Sequence, residues 1–311
     1  MAKYRILSLD GGGLRGLITV RLLQQLNQSP STKGWLDQAD LIAGTSTGGI
    51  LALGIASEKT LEDMANIYLK EGPKIFDDSF WDNLRDLGKS VGADYSNKAL
   101  KKTLINTFGN QTLGALNKKV TIPTFDLDNE SKDSKKRTWK PKIFHNFAGN
   151  DSDAKFLLSD VALYTSSAPT YFPSADGYID GGVFANNPSM VALVQAISQR
   201  NKSKERANID DIVLLSVGTG VSLSYIKGQT LDWGYAQWVK PLINILMDGV
   251  AGISDYQVAQ LLGDRYQRLQ IVFDSNETIA LDDVSKLNRM SEIGSTFDVK
   301  QTQAWLEKYW M

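Results

Sequence analysis

The chain has no cysteine and a single histidine, His145, among its 311 residues. The first absence excludes disulfides, thiolate nucleophiles and cysteine-type zinc sites. The second leaves a histidine-dependent site one candidate and leaves no clustered ligands for a metal, so no metal or other cofactor is expected. Charge of one sign is also missing: 34 lysines and arginines face 35 aspartates and glutamates. A nucleic-acid polymer would need a basic field, so it is not an expected partner. No apolar run approaches the roughly 20 residues of a bilayer-crossing helix. Met1-Ala2-Lys3 passes straight into strand-like Tyr4–Leu9, leaving no room for the apolar part of a signal peptide. The expectation is a cytoplasmic protein whose contact with membranes is peripheral.

Hydrophobic residues make up 42% of the chain, ample for a large core, and the length admits two domains or one α/β domain with an extension. After Tyr4–Leu9, the residues Leu14, Leu17, Ile18, Leu22 and Leu26 recur on one helical face. Residues 39–43 repeat the arrangement: an apolar strand, a turn at Gly44-Thr45-Ser46-Thr47-Gly48, and an apolar helix start. Two strand-turn-helix units in succession predict a parallel sheet. Thr60-Leu61-Glu62-Asp63 reads as a capping box for a helix to about Lys70, residues 72–95 as irregular, and Ser96 as the cap of a helix to Phe108. Residues 119–126 and 139–147 read as strands joined by a solvated, charged tip, with membrane docking as that tip's alternative use. A helix near 159–166, a short strand at 178–179, a helix from Pro188 and a buried strand at 211–217 complete a core of residues 1–220. Residues 221–311 read as a mainly helical C-terminal extension packed on it. There Leu242, Ile245, Leu246, Val250, Ile253, Leu261 and Leu262 suggest amphipathic helices bent at Gly249 and Gly252. Core packing or a subunit contact is one use for them; a lid over an acyl groove or an interfacial lipid contact is the other.

Chemistry concentrates at three places. Asp10-Gly11-Gly12-Gly13-Leu14-Arg15-Gly16 lies between a strand and a helix, and its glycines satisfy the dinucleotide pattern G-x-G-x-x-G. That reading needs an acidic residue at the far end of the second strand, where this chain has Gly44-Thr45-Ser46. The loop suits an oxyanion hole better, with unblocked N–H groups at a helix N-terminus where negative charge is favoured; a tight turn without a ligand is the bland alternative. Gly44-x-Ser46-x-Gly48, between an apolar strand and an apolar helix, has the form of a nucleophile elbow. Such a serine needs a base. His145 alternates with Phe144 along a strand and precedes Asp180, against the acid-then-histidine order of α/β-hydrolases, so it reads as structural. Asp180, followed by Gly181-Gly182, remains. A carboxylate with a pKa near ~3.9 is a feeble base; desolvation by a bound acyl chain would strengthen it. A turn-forming or capping role is the alternative for Asp180.

The three motifs, residues 10–16, 44–48 and 180–182, resemble those of the patatin-like phospholipases. Phe125-Asp126, Ser166-Ser167-Ala168-Pro169-Thr170-Tyr171-Phe172-Pro173, Ala185-Asn186-Asn187-Pro188 and Leu215-Ser216-Val217-Gly218-Thr219-Gly220 resemble patatin segments in the same order, so the likeness covers roughly residues 4–220. It implies an α/β fold, a three-layer α/β/α sandwich with a mostly parallel central sheet, as a modified α/β-hydrolase. It implies a dyad of Ser46 and Asp180, an oxyanion hole from the amides around Gly11, Gly12 and Gly13, and a supporting Arg15 that orders this loop or meets a lipid phosphate. The implied activity is lipid acyl hydrolysis of the phospholipase A or lysophospholipase type through an acyl-enzyme, on phospholipids or other acyl lipids, with transient membrane-surface contact. An acyltransferase using the same acyl-enzyme, and a lipid-binding or storage protein with a vestigial site, are the alternatives. Some bacterial members of the family are switched on by a cyclic nucleotide. A homo-oligomer, a small-molecule activator and head-group preference are not readable from the residues.

Overall fold

The computed structural model describes residues 3–311 apart from 77–92, 224, 227, 229 and 275. In chain order it runs β1 (Tyr4–Leu9), α1 (Gly16–Gln28), β2 (Leu41–Gly44), α2 (Thr47–Ala56), α3 (Leu61–Asn66), α4 (Gly72–Ile75), α5 (Lys98–Phe108), β3 (Lys119–Asp126), β4 (Lys140–His145) and α6 (Leu158–Thr165). There follow β5 (Tyr178–Asp180), α7 (Gly182–Ala185), α8 (Ser189–Ile197), β6 (Ile212–Val217), α9 (Tyr235–Leu262), β7 (Tyr266–Leu269), α10 (Leu287–Thr296) and α11 (Lys300–Trp305). Most of the stretch expected to be irregular, residues 72–95, lies outside the described residues.

The strands make one sheet in the order β4-β3-β2-β1-β6-β7, with β5 also on β3. The pairs from β3 through β7 are parallel, while β4 and β5 run antiparallel to β3. Side chains alternate between the faces, and both faces are covered. Leu7, Leu9, Ile42, Val213, Leu215 and Val217 enter one core. Ile6, Leu41, Ala43, Ile212 and Leu214 enter the other. The first core is closed by helices that include α1, α2, α5, α6 and α10; the second takes Leu193 of α8 and Val258 of α9. A sheet apolar on both faces must be buried on both, and the outcome is the three-layer α/β/α sandwich with a mostly parallel sheet.

Residues 221–311 do more than pack on this core. They supply β7, which extends the sheet in parallel beside β6, with Leu214 opposite Tyr266 and Val217 opposite Leu269. Helix α10 lies on α1, so closely that a Cβ on Gly294 would come within 2.7 Å of the Ile18 carbonyl. The Trp310 indole donates to the Trp35 carbonyl at 2.8 Å. The bends expected at Gly249 and Gly252 do not interrupt α9, which is assigned as one helix of 28 residues. The expected capping box is present, with the Asp63 amide donating to the Thr60 hydroxyl at 3.0 Å. The tip between β3 and β4 is solvated: Arg137 Nε donates to Asp128 at 2.9 Å on its exposed surface.

Candidate active site

The sheet brings Ser46 and Asp180 together from distant parts of the chain. Strand β3 pairs with β2 only over Lys119, Val120 and Thr121. Its other edge is taken by β4 along Thr121 to Asp126. Beyond the end of β2, the vacated edge of β3 accepts β5, with Thr124 opposite Asp180. Asp180 therefore stands in line with the C-terminal end of β2, where the chain turns through Thr45 and Ser46 into α2. The short strand itself is the one expected at 178–179; its place part-way along the edge of β3 has no signature in sequence periodicity.

The turn is strained at the serine. Ser46 has φ 56° and ψ −125°, a conformation that L-residues avoid and that costs on the order of 1–3 kcal/mol. It is held from several sides. The Ser46 amide donates to Thr165 Oγ1 at 2.9 Å, and that hydroxyl donates to the Pro123 carbonyl at 2.6 Å. Thr45 Oγ1 donates to the Ala185 carbonyl at 2.6 Å. The flanking glycines are required by contact: a Cβ on Gly44 would lie 2.0 Å from the Gly48 carbonyl oxygen, and one on Gly48 would lie 2.2 Å from that of Leu9. The G-x-S-x-G spacing is thus the spacing at which strand and helix can touch across the turn.

Asp180 is 5% exposed. Its Oδ1 accepts the Gly182 amide at 2.7 Å, and it shares its cavity with Ser46. No ion pair reaches it among the described residues. Burial pushes its pKa up to about 7, against the smaller opposing pull of Ser46 and Gly182. Burial within the fold thus raises this carboxylate by itself, rather than only after desolvation by a bound chain.

The glycine loop needs a narrower assignment than its sequence suggested. The Gly11 amide donates to the Asn186 carbonyl at 3.0 Å, so it is committed and is not a free oxyanion donor. The Gly11 carbonyl accepts from Thr219 Oγ1 at 3.0 Å, and the Leu14 amide donates to the Leu281 carbonyl at 2.7 Å. Among the described residues, the amides of Gly12 and Gly13 meet no backbone acceptor, and both residues line the cavity that holds Ser46 and Asp180. Gly13 has φ +57° and packs against Leu281, where a Cβ would lie 2.3 Å from the carbonyl oxygen.

The loop is fastened from below by charge. Asp10, 3% exposed, accepts both guanidinium nitrogens of Arg268 from β7, at 2.9 and 2.5 Å. Arg268 Nη1 also donates to Ser216 Oγ at 2.7 Å. Burial pushes Asp10 upward and Arg268 opposes that push. Burial likewise works against the charge of Arg268, but Asp10 overcomes it and holds the guanidinium more firmly protonated than usual. Arg15 differs: half-buried, it has an Nε without a hydrogen-bond partner among the described residues. Burial lowers its pKa, while Asp248, Tyr171 and Asp10 favour its charge.

His145 takes no part in this cluster. It is buried in β4, its ring edge-on to Phe147 with centroids 6.0 Å apart, and it does not line the cavity. Burial lowers its pKa despite the nearby Asp153 and Asp151. The cavity itself measures about 210 Å³ and is walled chiefly by apolar groups, among them Ile50, Ile75, Phe76, Leu100, Phe172 and Met247. Among the described residues no cluster of acidic or histidine side chains is arranged to hold a metal ion, and no helix is long and apolar enough to cross a membrane.

Several working parts escaped sequence reasoning. Asn186 and Thr219 stand in segments noted for resemblance alone, and their tasks, gripping the two sides of Gly11, appear only in three dimensions. Arg268 had no local signal at all.

A strained serine at a strand-to-helix turn, a buried carboxylate and a glycine loop with free amides are the parts from which serine esterases are assembled. The chain belongs to the patatin-like phospholipase family, whose model matches residues 7–193. A cGAMP-activated phospholipase of Vibrio cholerae is 35% identical over 238 residues, covering 70% of this chain and 64% of that protein. A protein of the same name from Pseudomonas aeruginosa is 29% identical over 303 residues, covering 96% of this chain and 86% of its own length. Among solved structures, VipD from Legionella pneumophila aligns with 99% of this chain and 67% of that one, at 12% identity and a TM-score of 0.47.

Proposed function

We propose that the protein is a lipid acyl hydrolase acting through a Ser46–Asp180 dyad. Ser46 Oγ attacks the ester carbonyl as Asp180 takes its proton. The tetrahedral oxyanion is met by the Gly12 and Gly13 amides, fixed beforehand by the contacts on either side of them. Collapse expels the alcohol, which takes the proton from Asp180, and leaves an acyl-Ser46 ester. Asp180 then removes a proton from water, which attacks the acyl group and releases the fatty acid, returning the proton to Ser46. The apolar cavity receives the acyl chain and keeps water from the carboxylate.

The observation that carries this reading is Asp180 itself: buried, in one cavity with Ser46, and pushed up to about 7. Purified Ser46→Ala protein tests it. Turnover of a p-nitrophenyl acyl ester should fall by roughly 10⁴- to 10⁶-fold, and labelling by a fluorophosphonate should vanish. A folded Ser46→Ala protein within about tenfold of wild type would sink the assignment. Free fatty acid as product favours the hydrolase, a new ester or thioester the acyltransferase. Activation by a cyclic dinucleotide is the regulation that the names of the two bacterial relatives suggest; turnover with and without cGAMP decides it.

A further inference from the structure

Among the described residues the outer face of α9 has no partner. On its inner side Ser254, Val258 and Leu262 are buried against the second core. On the opposite side Leu242, Ile245, Leu246, Ile253 and Tyr256 are each between 43% and 61% exposed. Their offsets follow the helical repeat, with Gly249 completing the row, so they form one stripe about 21 Å long. A surface helix ordinarily turns polar groups this way, and a contiguous apolar patch of this kind marks a contact surface. The stripe contains no charge: Asp248 falls off it by position, and Asp255 is turned toward β7, accepting the Tyr266 hydroxyl at 2.5 Å.

The stripe also leads into the catalytic cavity. Leu246 belongs to both, and its neighbour Met247 lines the cavity beside Ser46 and Asp180. The Met247 methyl lies 3.5 Å from the position of a Cβ on Gly182, at the carboxylate's own hydrogen-bond donor. Val183 of α7, 39% exposed, lines the same cavity.

We propose that this face of α9 is the surface by which the protein docks on a lipid bilayer, placing the cavity mouth against the membrane. The proposal rests on the acyl-lipid reading above. Continuity with the cavity is what selects a bilayer as occupant: an acyl chain can pass from the membrane to Ser46 along apolar side chains without crossing water. Because the stripe is uncharged, burial of apolar area drives the docking. It takes zwitterionic lipid and is little affected by salt.

The test uses full-length protein carrying Ser46→Ala, so that vesicles survive the measurement. Flotation with phosphatidylcholine vesicles should show binding at both low and high salt. Adding Leu242→Glu and Ile253→Glu, neither of which lines the cavity, should weaken partitioning on the order of a hundredfold, about tenfold for each side chain withdrawn from lipid. With Ser46 intact, the same pair of substitutions should leave turnover of a short soluble ester unchanged while hydrolysis of vesicle lipid falls. Should the glutamates prevent folding, judged by circular dichroism, Leu242→Gln with Ile253→Gln serves instead. Undiminished partitioning in the folded variant overturns the proposal. So does wild-type protein that ignores phosphatidylcholine, or that binds only anionic vesicles and is released by salt. A dimer in light scattering that these substitutions dissociate, with vesicle binding unaltered, would assign the face to a second copy and overturn it equally. Loss of vesicle binding in the variant, alongside a wild type inert toward every ester, would instead retain the docking surface and discard the hydrolase.

Discussion

Asp10 and Asp180 are both buried at the end of the sheet where the parallel strands finish, 3% and 5% exposed, and they keep opposite company. Asp10 has a guanidinium across both of its oxygens; Asp180 has one amide and shares its cavity with Ser46. Burial raises the pKa of each. What differs is whether a cation offsets it. The paired carboxylate becomes a fastener for the loop that follows it, and the unpaired one remains free to take a proton near pH 7. Substitutions at the two positions should therefore differ in sign as well as size.

The largest effect belongs to Asp180→Asn. Activity should fall by at least about 10⁴-fold, the scale of losing a member of a catalytic unit, yet the folded protein should gain stability in alkaline solution. The native state holds this proton up to about pH 7, whereas the unfolded chain releases it near 3.8. This group's contribution to stability is thus fully present below pH 3.8 and is lost as pH rises through 7. Asparagine carries no such loss, so its advantage in urea unfolding should grow between pH 5 and pH 8, by up to about 3 kcal/mol. In the wild type, kcat/KM should fall about tenfold per pH unit below 7. A profile flat down to pH 5 would show that Asp180 is not the desolvated base.

Arg268→Met should do the reverse. It strands the Asp10 charge in the interior, and breaking a buried pair in this way costs about 3–5 kcal/mol. The midpoint of urea unfolding should drop accordingly, and Asp10→Asn added to Arg268→Met should recover part of the loss. Equal stability of Arg268→Met and wild type would show that the pair fastens nothing.

Gly12→Ala sharpens the same comparison on the loop. Its Cβ would fall 2.2 to 2.7 Å from three atoms of the Thr219 side chain, so the loop must shift although Asp10 stays pinned. Loss of one oxyanion donor typically costs about 2.7–4 kcal/mol in the barrier. It should appear in kcat far more than in KM, because the donors face charge that develops only in the transition state. An unchanged kcat would remove Gly12 from the oxyanion hole, and dinucleotide binding lost in the variant would return the loop to its other reading.

Much of this could be read from the sequence because its physics is local. Buried parallel strands are apolar throughout, as in β6, and a glycine at each side of Ser46 announces a crowded turn. Thr60 and Asp63 form their capping box within one helical turn. Non-local facts were illegible for the same reason. That Gly11 spends its amide on Asn186 depends on a loop 175 residues away, and Arg268 meets Asp10 across a separation of 258 residues. The C-terminal part looked helical because α9 and α10 dominate it; β7, four residues long, gains its identity only by lying beside β6.

His145 gives the smallest effect and the sharpest division between a dyad and a triad. Its ring sits beside Phe147, in the core on the face away from Phe144, and its backbone amide donates to Asp153 at 3.1 Å. Burial holds the imidazole below its ordinary pKa. Glutamine can fill most of the same space, and His145→Gln should leave kcat/KM within about threefold and leave the shape of the pH profile unaltered. The profile is the informative half of the measurement. If the inflection near pH 7 belonged to a histidine, it would vanish in His145→Gln; if it belongs to Asp180, it persists there and is lost with Asp180→Asn. A folded His145→Gln protein reduced a thousandfold in turnover would restore histidine as the base and return Asp180 to a structural role.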